Sequence, residues 1–272
     1  MNPLIETTGI IVLSVFSIML GRLFSGLKKP YWTFGYFFPL ILIGLLLVSR
    51  VYDGFSFIRP FNWFIAGRAR FALISVAVCM GLTTPLSRLP RKIEKFLVYV
   101  VMFAVVTWFS VMPFLFPVII RDSLLNKPTF YDSKGICRQT TDYTCGPAAA
   151  VTALGHYGLS AKEGELAVLS HSSPVVGTLP TSLCSAIENR YKQDGLRCRY
   201  EKFDTIDQLK ETGVTLVVIK EGFLLDHCIV VLDVFDDAVA VADPVTGMEL
   251  IPIEKFKKIW RHSGIIMERD MI

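Results

Sequence analysis

Cys145 stands where a polar segment, Gln139-Thr140-Thr141-Asp142-Tyr143-Thr144, meets a run opening Gly146-Pro147-Ala148. Proline suits the first turn of a helix, where its missing N–H costs nothing. The free N–H groups and partial positive charge at a helix N-terminus stabilise a thiolate, so this position suits a nucleophile. In mid-helix the same residue would be a small core hydrophobe. A cysteine nucleophile needs a base, ordinarily histidine, and a third group to orient the imidazole. The chain has four histidines. His156 lies near a predicted helix end, His171 in a serine-rich loop, and His262 after the last predicted helix. His227 opens a strand-like run, Cys228-Ile229-Val230-Val231-Leu232, and Asp243-Pro244 ends the neighbouring predicted strand Ala238–Ala242. A turn at Phe235–Asp237 would set the start of one strand beside the end of the other, making His227 and Asp243 cross-strand neighbours. An edge histidine and a turn aspartate with no catalytic task remain an alternative.

The combined pattern is more specific than its parts. Gln139 lies six residues before Cys145-Gly146-Pro147-Ala148, His227 opens an Ile-Val-Val strand, and Asp243-Pro244-Val245-Thr246-Gly247 follows. In order and spacing, over roughly residues 134–268, this resembles the bacteriocin-processing cysteine peptidases (cysteine peptidase family 39). Those are papain-like domains that cut leader peptides after a double glycine. The resemblance implies that Cys145 is the nucleophile, His227 the general base and Asp243 the orienting residue. It also implies that the Gln139 side chain and the Cys145 N–H form the oxyanion hole. Peptide-bond cleavage would then proceed through an acyl-enzyme, with Gln139 donating to the developing oxyanion. A peptide or protein substrate is expected, and no cofactor. Two other functions fit the same residues: a non-catalytic peptide-binding module on a membrane anchor, and a papain-like acyltransferase. The chain departs from exporter-linked members in having its membrane half first and no Gly-x-x-x-x-Gly-Lys-Ser/Thr loop, so any coupled export requires a separate transporter. Cys137, Cys184, Cys198 and Cys228 lack metal-ligand spacing, and zinc is not expected. Cys228 should face away from His227, into the core.

These residues need a scaffold, and the second half supplies an α+β one. Helical spacing is predicted for Cys145–Tyr157, Lys162–Ser170, Thr178–Gln193 and Ile253–Trp260. Strands are predicted at Arg197–Lys202, Val214–Lys220, His227–Val234, Ala238–Ala242, Met248–Pro252 and Gly264–Met267, most of them as a meander.

The first half is of another kind. Hydrophobic residues make up 52% of the 272, charged residues 19%, and the mean hydropathy is +0.49, which excludes a disordered chain or a coiled coil. Up to residue 125 there are 12 Lys+Arg and 4 acids; beyond it there are 16 and 20. The basic residues flank apolar runs, a pattern of membrane borders and not of nucleic-acid binding. Uncharged runs at Thr7–Gly21, Tyr31–Ser49, Phe71–Ser87 and Phe96–Ile120 predict four spans, because about 20 helical residues cross a core of roughly 30 Å. The first run must recruit Leu4 and Ile5, and the third extends toward Trp63 and Phe64 if Arg68 and Arg70 snorkel or face the bundle. No positive residue precedes the first run, so it reads as a retained anchor. The expected organisation is a multi-pass membrane anchor over 1–122, a linker over 123–133 and a papain-like peptidase domain over 134–272. The short loops Arg22–Pro30 and Arg88–Lys95 carry seven positive charges, against four at most between spans two and three. The positive-inside rule then places the catalytic domain outside the cytoplasm, on a bacterial inner (plasma) membrane.

Overall fold

The computed structural model describes residues 3–51, 54, 57–58, 69–222 and 225–269. It consists of two units, Met1–Ile119 and Ile120–Ile272.

The first unit is helical: α1 (Pro3–Gly26), α2 (Phe37–Val51), α3 (Ala69–Thr83), α4 (Lys92–Val106) and α5 (Met112–Ile119), the last two joined through a π-helical turn at Thr107–Val111. Four segments are long and apolar enough to cross a membrane: Ile5–Gly26, Tyr31–Ser49, Ala69–Arg88 and Lys92–Ile119. The first reaches Ile5, with Glu6 in its opening turn. The fourth runs on past Pro113 and Pro117, the π turn being one of the local adjustments that let a span accept proline. Apolar side chains such as Val12, Leu40 and Phe103 are turned outward. The contact of α1 with α3 is made by small residues. The Ser14 and Ser75 hydroxyls meet at 2.5 Å, and a Cβ on Gly21 would lie 1.9 Å from Thr83 Oγ1. Hydroxyls here also bond back one turn, Ser14 to Ile10 O (2.7 Å) and Thr83 to Cys79 O (2.6 Å). Trp63, Phe64, Arg59 and Arg68 lie outside the described residues.

The second unit begins with α6 (Arg121–Leu125) and a small hairpin of β1 (Phe130–Tyr131) and β2 (Cys137–Arg138). Helices α7 (Cys145–His156), α8 (Glu163–Leu169) and α9 (Pro180–Tyr191) follow. Then come β3 (Leu196–Lys202), α10 (Ile206–Glu211), β4 (Thr215–Gly222), β5 (Leu225–Val234), β6 (Ala238–Asp243), β7 (Gly247–Pro252), α11 (Ile253–Ile259) and β8 (Trp260–Arg269). The six large strands are antiparallel in the order β3-β8-β4-β5-β6-β7. Strands β4 to β7 form the expected meander, but the last strand is inserted between β3 and β4. Its run Ser263–Met267 is buried throughout, which suits a central strand and not an edge.

Two apolar clusters fill the unit. One joins α7 and α9 to the sheet through Ala148, Leu154, Ile187, Leu216 and Val230; the other packs α11 on the sheet through Phe256, Trp260, Val217 and Ile229. Every residue from Gly146 to Leu154 is buried. A helix apolar on all sides must be central, and its alanines let it lie close on β5. The stretch read as a linker is folded: Leu124 of α6 is 1% exposed and packs at Gly164, where a Cβ would lie 2.0 Å from the Leu124 carbonyl oxygen. Helix α10 was not anticipated, although Thr205-x-x-Gln208 is a capping box, with Thr205 Oγ1 accepting from Gln208 N and the Gln208 side chain accepting from Thr205 N.

Candidate active site

Cys145 is the first residue of α7, half-buried, at the end of the helix that packs on β5. His227 lies three residues into β5 and is buried; Asp243 is the last residue of β6. The register pairs Val230 with Ala242, which brings the start of β5 to the end of β6. His227 Nε2 lies 2.9 Å from Asp243 Oδ1. The Cys145 thiol lies near enough to the same imidazole to favour its protonated form. With Nε2 held by the carboxylate, Nδ1 is the ring nitrogen left for the thiol.

The electrostatics follow from this packing. Burial acts most strongly on His227 and opposes its protonation. The hydrogen bonds and charges of Asp243 and Cys145 outweigh it and hold the imidazolium up to about 10. Asp243 is likewise opposed first by burial. The His227 hydrogen bond and the Val245 and Thr246 N–H groups nevertheless keep its carboxyl below the usual range. Oδ1 accepts from Val245 N at 2.6 Å and Thr246 N at 3.4 Å, so the turn after β6 grips the carboxylate. Gly247 closes that turn at φ +97°, a conformation side chains resist. Arg138 of β2 donates to the Val245 carbonyl and ties the turn to the hairpin.

Gln139 follows Arg138 directly, and its N–H donates to Pro244 O at 3.1 Å, so the loop that leads to Cys145 is stitched to the turn that carries Asp243. The Gln139 Nε2 donates to Thr141 O (3.0 Å), a carbonyl that also accepts from the Thr144 hydroxyl (3.1 Å). Its Oε1 is buried without a partner. One N–H of the amide therefore remains to donate elsewhere.

Other candidates fall away on position. His156 ends α7, eleven residues from Cys145, or about 16 Å by helical rise. His262 adopts a left-handed backbone (φ 51°) and stacks on Trp260 at 4.8 Å; His171 is also left-handed (φ 56°). Among the described residues no group of His, Cys, Asp and Glu could hold a metal ion. Cys228 packs against the helix-side cluster, and burial first, then the charges of Cys145 and Asp243, push its thiol well above the ordinary range. Sequence reasoning missed Arg138 and Glu163. Glu163, of α8, is 1% exposed and accepts the Thr140 N–H (2.8 Å) and hydroxyl (3.1 Å). No local signal links positions 23 residues apart.

Comparison with known proteins locates the likeness in the second unit. The chain is 29% identical over 142 residues to an uncharacterized protein of Methanothermobacter marburgensis, covering 52% of this chain and 94% of that one. It is 31% identical over 134 residues to an uncharacterized protein of Methanothermobacter thermautotrophicus, covering 49% and 88%. Among solved structures, the peptidase domain of Streptococcus ComA, a bifunctional ABC transporter involved in quorum sensing, superposes with a TM-score of 0.43 at 24% identity, over 49% of this chain and 96% of that one. A double glycine motif protease from an AMS/PCAT transporter, solved with its leader peptide, gives 0.43 at 17% identity, over 53% and 96%. The model of the peptidase C39 family matches residues 133–271, just over half of the chain. With four apolar helices ahead of this helix-plus-sheet domain, the chain belongs to the peptidase C39 family, a family of papain-like cysteine peptidases.

Proposed function

We propose that this protein is a membrane-anchored cysteine peptidase in which Cys145, His227 and Asp243 act as nucleophile, base and orienting group. The observation that carries the reading is the His227 ring, bonded to Asp243 at 2.9 Å and set where the Cys145 thiol acts on it and favours its protonated form. Cys145 Sγ attacks the carbonyl carbon of a peptide bond, and the displaced electron pair collects on the carbonyl oxygen. Gln139 Nε2 and the Cys145 N–H donate to that oxygen; losing one such donor costs about 10²–10³ in rate. The His227 imidazolium gives its proton to the departing amine as the C–N bond breaks. Water, deprotonated by the now neutral His227, then attacks the thioester and frees the carboxylate and the thiol.

The substrate is a peptide or protein presented near the membrane, with leader-peptide processing before or during export by a separate transporter as the specific form. The family supports this form, as does the double glycine motif protease solved with its leader peptide. The domain lies outside the cytoplasm, by the charge balance of the loops.

The test is an activity-based thiol probe on membranes carrying the protein, followed by mass spectrometry of peptides released near the membrane. Probe attachment at Cys145 and new peptide termini lost in Cys145→Ala are expected. Labelling without any new terminus, but with acyl transfer to an added amine, would reassign the site to acyl transfer. No labelling and unchanged peptide binding in Cys145→Ala would reduce it to a binding module.

A further inference from the structure

The buried carboxylate of Glu163 lies outside the triad and touches the loop that carries Gln139. Its Oε1 accepts both hydrogens that Thr140 can offer, the N–H at 2.8 Å and the hydroxyl at 3.1 Å. The Thr140 carbonyl is taken by Lys127 Nζ at 3.2 Å, so this one residue is fixed at its N–H, its side chain and its C=O. The glutamate is itself anchored, its N–H bonding Thr129 Oγ1 at 3.2 Å. On the other flank, the Gln139 N–H is held by Pro244 O. Gln139 is thus clamped between the turn that carries Asp243 and the residue that Glu163 holds.

A buried carboxylate is a poor way to stabilise this place. Its Oε2 is buried with no partner, and a buried polar atom left unsatisfied costs free energy that an apolar side chain of similar volume would not. What an apolar side chain cannot supply is the acceptor that fixes Thr140. We infer that Glu163 is a positioning residue for the oxyanion donor, holding Thr140 and through it aiming the Gln139 amide. This deepens the peptidase reading and rests on it.

Two small reagents separate the role from a general structural one, because both attack the same sulfur. Acylation by p-nitrophenyl acetate passes through a tetrahedral oxyanion and releases p-nitrophenolate. Alkylation by iodoacetamide displaces iodide at a saturated carbon, and no oxyanion forms. The 272-residue chain in detergent is compared with Glu163→Met, which keeps the volume and loses the acceptor, and Glu163→Gln, which keeps Oε1. Glu163→Met should slow acylation of Cys145 by about tenfold or more while alkylation stays within about twofold. Glu163→Gln should recover most of the acylation rate. In a Gln139→Ala background, Glu163→Met should add nearly nothing, since the group it aims is gone. Equal losses in both reactions, or losses that multiply in the double variant, would overturn the inference and leave Glu163 as scaffold. Absence of Cys145 acylation in the unaltered protein would instead sink the peptidase reading itself, and this inference with it.

Discussion

Cys137 and Cys145 flank the same loop and have opposite surroundings. Cys137 is fully buried, and burial, helped by the charge of Glu163, pushes its thiol up to about 12, so it stays protonated and inert. Cys145 is half-buried and lies near His227, whose imidazole is held toward its protonated form. Cys145→Ala should therefore abolish peptide cleavage with the fold retained, while Cys137→Ala keeps most activity and costs about 1 kcal/mol of stability. Equal losses of activity in the two variants would remove Cys145 from its role. Iodoacetamide at pH 6 should modify Cys145 far faster than the other five cysteines, and that preference should fall in His227→Ala. The pH dependence has a definite sign. The folded value of His227, about 10, lies above its ordinary 6.5, so its contribution to stability is complete below about 6.5 and is lost as pH rises through about 10. A contribution on the order of a few kcal/mol is expected from a shift this large. Thermal melts between pH 6 and 11 should fall along that window, and His227→Ala should flatten them. Asp243 works in the opposite direction: its lowered value makes its contribution present above the ordinary 3.8 and lost on acidification.

The site is assembled from ends of elements: the start of α7, the start of β5, the end of β6 and the β2–α7 loop. Glycines decide how closely these ends approach. At Gly247 a Cβ would face both a left-handed φ of +97° and contacts of 3.0 Å with Arg138 Nη1 and 3.1 Å with Asp132 Oδ2. Gly247→Ala should cost about 1–2 kcal/mol and slow Cys145 alkylation, because the strained turn is the one whose N–H groups hold Asp243. Unchanged reactivity would show that the turn does not steer the carboxylate. Gly164→Ala drives a methyl into the Leu124 backbone, and α6 must lift away. A loss of about 1–3 kcal/mol is expected, with new protease cleavage between Arg121 and Thr129. Resistance to cleavage would mean that α6 is not docked by this contact. The elements themselves were legible to within one or two residues wherever a long periodic run existed, as in α7, β4, β5 and β6. The short α6 and α10 were missed because five or six residues carry too little periodicity to stand out.

At the scale of the whole molecule, a unit with four helices long and apolar enough to cross a membrane is joined to a domain with an ordinary polar surface. The expected sidedness rests on Arg22, Lys28, Lys29, Arg88, Arg91, Lys92 and Lys95 in two short loops. With four spans, the domain is expected on the side of the N-terminus, opposite those loops. A phosphatase fused after Ile272 should be active, and a fluorescent protein that matures only in the cytoplasm should stay dark. The reverse pair of results would put Cys145 in the cytoplasm, where leaders are cut before export.

The candidate residues and their order along the chain were readable from the sequence alone. Proline at the start of an alanine-rich helix marks Cys145, a polar residue opening a β-branched run marks His227, and Asp-Pro with a following glycine marks a turn. Local sterics and hydrophobic period set such features, so they survive reading in one dimension. Three things depended on long-range packing. The first is the insertion of β8 between β3 and β4, decided by which strands can be buried on both faces. The second is the docking of Arg121–Leu125, decided by the missing side chain at Gly164. The third is the seat of Glu163 under Thr140. Each is a contact between residues with no shared local pattern, formed only when burial brings distant segments together.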